Sequence, residues 1–191
     1  MKTCSLEYIN KIGKNVLNVQ PEQLQPLFES LKVADCIVCG GSGRSLYSLN
    51  TAISQIAKIK EPKVVISPDD AGFPGRNLFS AAYELERRYN HIILLINSGS
   101  GESGDPKILA EDLDQYISKT GSKKFFTGII TSNPYSSIAE IAKKQGCVGR
   151  VEGRKKGETL EEYSETGIMG DMFELSSLYL IQAMCEIINQ N

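Results

Sequence analysis

The sequence has one histidine in 191 residues and no tryptophan. A single histidine excludes a zinc centre built on several histidines. Excess charge of either sign is also missing, since 21 basic and 23 acidic side chains leave a formal net charge of −2. A dedicated DNA or RNA binder carries a basic excess, so no nucleic-acid partner is expected. No apolar run approaches the ~20 residues that span a bilayer. Lys2, Glu7, Lys11 and Lys14 interrupt the stretch from Met1 to Val19, so it has no apolar core of a signal peptide. A soluble, cytoplasmic protein without a membrane partner is the expectation. Cys4, Cys36, Cys39, Cys147 and Cys185 are odd in number and lack the spacing of a disulfide framework. Cys36 and Cys39 have a redox-like spacing but lie inside an apolar run. On a strand, positions three apart face opposite sides, so these thiols read as small core hydrophobes.

What is present fits one domain. The composition, 41% hydrophobic and 23% charged, is that of an ordinary globular chain, long enough to bury a core without disulfide or metal staples. Leu6, Ile9, Ile12, Val16 and Leu17 recur at helical spacing, as do Leu24, Leu27, Phe28 and Leu31 after Pro21. Short apolar runs then alternate with helical stretches. The runs are Cys36–Cys39, Val64–Ile66, Ile92–Ile96, Phe125–Ile130 and Cys147–Val151, with helices expected at about 46–60, 77–90, 105–119 and 136–145. This alternation predicts an α/β fold, a parallel sheet covered by helices on both faces. The expected organisation is a single domain over 1–191, with N-terminal helices in 1–33, the alternating core in 34–153 and a closing helix over 167–190. That last helix is apolar around nearly its whole circumference, a pattern that calls for burial on several sides. A subunit interface is one way to supply it, so a homo-oligomer is expected.

Six of the seventeen glycines fall in two clusters, Gly40-Gly41-Ser42-Gly43 and Ser98-Gly99-Ser100-Gly101-Glu102-Ser103-Gly104. Each follows an expected strand and precedes an expected helix, where open α/β sheets bind ligands. Glycine admits close backbone approach. Helix N-termini supply N–H groups and a positive dipole end. Ser42, Ser45, Ser98, Ser100 and Ser103 add hydroxyls. Tight turns alone would explain one cluster; two in corresponding positions favour an anion site. Neither cluster has the lysine of a P-loop, and the position where a dinucleotide fingerprint starting at Gly41 needs its third glycine is Leu46. A phosphorylated small molecule suits the hydroxyls better than a dinucleotide.

These loops resemble those of a known family. Gly41-Ser42-Gly43-Arg44-Ser45 resembles the G-x-G-R-S loop of sugar isomerase (SIS) domains, and Ser98-Gly99-Ser100-Gly101-Glu102-Ser103 their S-x-S-G-x-[ST] loop, which holds the sugar phosphate. Thr131-Ser132-Asn133-Pro134 with Ser137-Ile138-Ala139 is similar to the family's segment after the fourth strand. Gly153-Arg154-Lys155-Lys156 and Gly170-Asp171-Met172-Phe173-Glu174-Leu175 resemble the 6-phospho-3-hexuloisomerase branch. The motifs occur in family order over about residues 35 to 190. The resemblance implies a three-layer α/β/α sandwich on a five-stranded, flavodoxin-like parallel sheet. It also implies a homodimer or homotetramer, a phosphosugar ligand and no cofactor. It implies a phosphosugar isomerase of the branch that converts a 3-keto hexulose 6-phosphate to fructose 6-phosphate; the alternative is a noncatalytic module that senses a phosphosugar.

Carbonyl migration needs a base and donors for the developing oxyanion, and no metal. Glu174, between Phe173 and Leu175, is the candidate base, where desolvation would raise its proton affinity. By position alone an exposed carboxylate on the helix's wet stripe is as good a reading; the match to the family's F-E-L segment decides for the base. Gly41, Ser42, Gly43, Arg44, Ser45, Ser98, Gly99, Ser100, Gly101, Glu102 and Ser103 are the candidate phosphosugar-binding residues. Glu102 reads equally as a carboxylate complementing a helix N-terminus. Arg44 reads as a phosphate, subunit or structural ion-pair partner. Arg154–Lys156 would help draw in an anion, and Asp69-Asp70 reads as a turn. The sequence departs from the branch in the long 68–76 segment, in Asp171, and in His91, which matches no catalytic histidine.

Overall fold

The computed structural model describes residues 2–58, 62–67, 77–153 and 171–190. Helices α1 (Lys2–Leu17) and α2 (Pro21–Val33) open the chain. Then come β1 (Cys36–Gly40), α3 (Arg44–Ile53), a 3-10 turn (Ser54–Lys58), β2 (Val64–Ile66), α4 (Leu78–Arg88), β3 (Ile92–Asn97) and α5 (Gly104–Thr120). They continue with β4 (Phe125–Thr131), α6 (Ser137–Gln145), β5 (Gly146–Arg150) and α7 (Asp171–Gln190). All four strand pairs are parallel and the order is β2-β1-β3-β4-β5. This is the flavodoxin-like doubly wound order.

The pleat sorts the strand residues into two cores. Ile37 and Cys39 of β1 and Ile93 and Leu95 of β3 pack with α2, α3 and α7, notably against Leu27, Leu49, Phe173 and Ile181. Their chain neighbours Cys36, Val38, Ile92, Leu94 and Ile96 pack with α4, α5 and α6, against Leu78, Leu109, Leu113 and Ala139. Strands β1 and β3 are therefore buried on both faces, as a three-layer sandwich requires. Each fully buried Leu or Ile contributes roughly 1.5–3 kcal/mol relative to exposure. Cys36 and Cys39 indeed face opposite cores.

One helix differs from the sequence expectation, and the closing helix is described in part. The helix expected over 46–60 starts at Arg44 and ends at Ile53, tightening into the 3-10 turn. Thr51 and Ser54 hydroxyls there donate to the Tyr47 and Thr51 carbonyls, 2.8 and 2.9 Å, and such local bonds compete with the helical ladder. The described part of the closing helix begins at Asp171, and Gly167–Gly170 lie outside the described residues. Its apolar surface is largely covered within the same chain, by α1 and α3. Phe173, Ile181, Cys185 and Ile188 are buried, while Tyr179 and Ile187 stay about half exposed, at 55% and 49%.

Candidate functional site

Strand order reverses between β1 and β3, which are neighbours although β2 separates them in the chain. A crevice forms at the carboxyl ends of the strands on either side of such a switch point. The register Gly40↔Ile96 brings both Ser/Gly loops there side by side. Gly41 is wedged into that approach: a side chain on it would meet the Leu46 backbone nitrogen at 2.9 Å and the Asn97 carbonyl oxygen at 3.1 Å.

The helices that come after β1, β2, β3 and β4 in the chain divide by their caps. Asn77 caps α4 by accepting from the Ser80 N–H, and Ser136 caps α6 by accepting from the Ala139 N–H. Gly43 before α3 has no side chain, and Ser103 before α5 makes no side-chain cap bond. Of these four, the two without a side-chain cap are those that start at the switch point. Helix first turns present N–H groups that need an acceptor from elsewhere.

The second loop is braced from three sides. The Gly99 carbonyl accepts from the Ser132 hydroxyl at 2.6 Å, the Ser132 N–H at 3.0 Å and the Thr131 hydroxyl at 3.2 Å. Gly101, at φ +65°, donates its N–H to the Ser98 hydroxyl at 3.2 Å. Ser100 and Ser103 hydroxyls lie 3.5 Å apart. The Phe173 ring of α7 closes over Gly99.

Glu102 caps a helix, but not the one it precedes. Its carboxylate accepts from the Ser137 N–H at 2.7 Å and the Ser137 hydroxyl at 2.6 Å, at the start of α6, with Lys107 at 3.7 Å. The Ser137 hydroxyl and N–H hold this carboxyl below its ordinary 4.5, outweighing a small desolvation cost.

Glu174, one turn into α7, meets the first loop. The Ser45 hydroxyl donates to its Oε1 at 3.0 Å and the Arg44 guanidinium lies 3.7 Å from its Oε2. The carboxylate is only 15% exposed and Arg44 is 43% exposed, so the guanidinium still reaches solvent beside a sheltered acid.

A residue that the sequence reading passed over joins these parts. Asn97, fully buried at the end of β3, donates its side-chain amide toward the Ser45 carbonyl (3.0 Å), the Ser48 hydroxyl (2.9 Å) and the Ser177 hydroxyl (3.0 Å). Its signal in the sequence is slight: one amide ending an otherwise apolar strand, directly before Ser98.

Other candidates lie apart. His91 precedes β3, at the opposite end of the strand from the loops, 3.8 Å from Asp35. Asp69, Asp70, the rest of 68–76 and Arg154–Lys156 lie outside the described residues. Among the described residues, no group of three or more His, Cys, Asp or Glu side chains is placed to hold a metal, and no helix is long and apolar enough to cross a membrane.

No protein-family model matches the chain, and no curated protein matches it by sequence. Solved structures do match. A phosphoheptose isomerase from Francisella tularensis superposes with a TM-score of 0.63 at 15% identity, over 98% of this chain and 99% of that one. A Methanococcus jannaschii protein whose structure infers a 3-hexulose-6-phosphate isomerase function gives 0.65 at 17% identity, over 96% and 90%. The Vibrio vulnificus NanR protein, complexed with ManNAc-6P, gives 0.69 at 14% identity, over 99% of this chain and 61% of that one.

Proposed function

We propose that the chain, which shares its five-stranded parallel fold with phosphosugar isomerases of known structure, binds a phosphosugar at the β1/β3 switch point and isomerises it through an enediol without a metal. The observation that carries this reading is that α3 and α5, the helices after β1 and β3, lack side-chain caps and start beside the Arg44–Ser45–Glu174 cluster. The phosphate seats on the Ser98–Ser103 loop, where hydroxyls and the α5 N-terminus meet its charge. Glu174 removes the proton from the carbon next to the carbonyl and returns one to the neighbouring carbon. Arg44 supplies positive charge for the oxyanion that forms meanwhile. Among the neighbours' chemistries, the 3-keto hexulose 6-phosphate conversion fits the branch resemblance, and an open-chain substrate of that kind requires no ring-opening histidine. The exposed Tyr179 and Ile187 of α7 support a homodimer or homotetramer, and a monomer peak in sedimentation would contradict that part.

One observation favours a second reading, a module that senses the sugar without turning it over. The carboxylate is already engaged by Ser45 and Arg44, and a fixed acceptor of that kind serves recognition equally.

A thermal-shift screen of sugar phosphates, followed by an isomerisation assay on each hit, separates the two. Under the enzyme reading Glu174→Gln lowers turnover by roughly 10²–10⁴-fold while the thermal shift by the sugar phosphate persists. Full activity in that variant refutes the base. Stabilisation of the wild type without any turnover establishes the sensor.

A further inference from the structure

Asn97 is bonded directly to Ser98, the first residue of the second loop, and its side chain starts two branches toward Glu174. One runs through the Ser177 hydroxyl, which accepts from the Asn97 amide at 3.0 Å and donates to the Glu174 carbonyl at 3.1 Å. The other runs through Ser45: its carbonyl accepts from the Asn97 amide at 3.0 Å, and its hydroxyl donates to Glu174 Oε1 at 3.0 Å. A single amide on β3 thus holds both the backbone and the carboxylate end of Glu174, from two different helices.

The orientation of that amide follows from its neighbours. Ser48 and Ser177 spend their hydroxyl protons on the Ser45 and Glu174 carbonyls, at 3.0 and 3.1 Å, so both oxygens can only accept from Asn97. The Ser45 carbonyl can only accept as well. All three acceptors face the NH₂ edge and share its two hydrogens. This leaves Oδ1 buried without a hydrogen-bond partner among the described residues. A fully buried amide that satisfies one edge and leaves the other unpartnered is a poor choice for stability alone. Departures of this kind from local consistency concentrate at functional sites.

We infer that Asn97 is a positioning residue that fixes Glu174 relative to the Ser98–Ser103 loop, and so sets the distance between the base and the phosphate of the substrate. The inference rests on the reading of Glu174 as the base of that site. It assigns Asn97 no contact with the sugar.

The test compares two buried asparagines, both tied to α7. Asn15 is 4% exposed and donates to the Ser176 hydroxyl at 2.9 Å and the Glu152 carbonyl at 2.9 Å, and neither of these bonds is made to Glu174 or to Ser45. Asn97→Ala and Asn15→Ala are each measured for thermal stability, for binding of the sugar phosphate found in the screen, for kcat, and by carbon-13 NMR of glutamate-labelled protein. The Glu174 carboxyl signal is assigned by its loss in Glu174→Gln. The expected result is a lowered melting temperature in both, sugar-phosphate affinity close to wild type in both, and a kcat loss approaching 100-fold, roughly the effect of a 1 Å misplacement, in Asn97→Ala alone. The Glu174 carboxyl signal shifts or splits only in that variant. An equal kcat loss in Asn15→Ala, or an unmoved Glu174 signal in Asn97→Ala, overturns the inference. If Asn97→Ala does not fold, Ser177→Ala removes one branch alone; the same signal must move there, and an unmoved one is decisive against it. A wild type that turns over no sugar phosphate defeats the reading of Glu174 as base. The NMR comparison then still decides whether Asn97 positions it.

Discussion

Gly101→Ala tests the packing that shapes the Ser98–Ser103 loop. Gly101 has φ +65°, and a side chain there would overlap the Ser136 hydroxyl and lie 2.5 Å from Ser136 Cβ. Ser136 is fully buried and caps α6 through the Ala139 N–H, so it has nowhere to go without breaking that cap. Strain from a non-glycine residue in the left-handed region costs about 1–3 kcal/mol. Overpacking a buried contact adds about 1–3 kcal/mol. The expected loss is therefore roughly 2–6 kcal/mol, a large share of a typical domain's stability. Gly121 is the control: it has φ +69° at the end of α5 but open space around it. Gly121→Ala should show only the backbone strain, so the two variants should differ by about 2 kcal/mol. Urea unfolding followed by far-UV circular dichroism measures both, since the chain has no tryptophan to report. Ser136→Gly opens the space and keeps most of the cap's worth, because glycine is a tolerable N-cap. The double variant Gly101→Ala, Ser136→Gly should recover part of the loss, a coupling that independent sites do not show. A Gly101→Ala variant no less stable than Gly121→Ala, or no recovery in the double variant, would refute the reasoning.

Two further predictions concern charge and thiols. Glu86 is held below its ordinary 4.5, chiefly by the Ser122 hydroxyl and then by the Tyr116 hydroxyl, both donating to its carboxylate. A carboxyl lowered in the folded state contributes stability that is complete above the unfolded value and is lost as pH falls through the folded one. Acid titration of stability should therefore steepen below about pH 4.5, and Glu86→Gln should flatten that limb; an unchanged limb assigns the effect elsewhere. Burial pushes the Cys36 and Cys185 thiols up to about 12 and Cys147 to about 11. The folded protein at pH 8 should leave these three unmodified by a thiol-specific disulfide reagent, and urea should expose them; rapid labelling of Cys36 in the native state would contradict its burial.

The fold was legible because its signals are local. Val64–Ile66 reads as a strand from three consecutive β-branched residues. The opposed faces of Cys36 and Cys39 follow from the period of a strand. The loops at the ends of β1 and β3 are visible as glycine and serine clusters, but their adjacency depends on strand order, which is a tertiary property. Glu102 shows the limit well. Its place before α5 suggests a role at that helix, yet its carboxylate reaches α6, whose start is 35 residues later in the chain. Asn97 was invisible as a junction, because its partners Ser45 and Ser177 lie 52 and 80 residues away and only the packed sheet joins them. The closing helix has the pattern of one covered on several sides, but sequence could not show that α1 and α3 supply much of the cover.

The central claim is that a sugar phosphate binds at the β1/β3 switch point. A crystal structure of the protein with the most stabilising sugar phosphate tests it most directly. The account predicts the phosphate within hydrogen-bond distance of the Ser98–Ser103 loop and the sugar carbons next to the carbonyl facing the Glu174 carboxylate. A phosphate seated elsewhere, for instance in the polar cleft lined by Asn15, Gln20, Gln23 and Arg150, would contradict it.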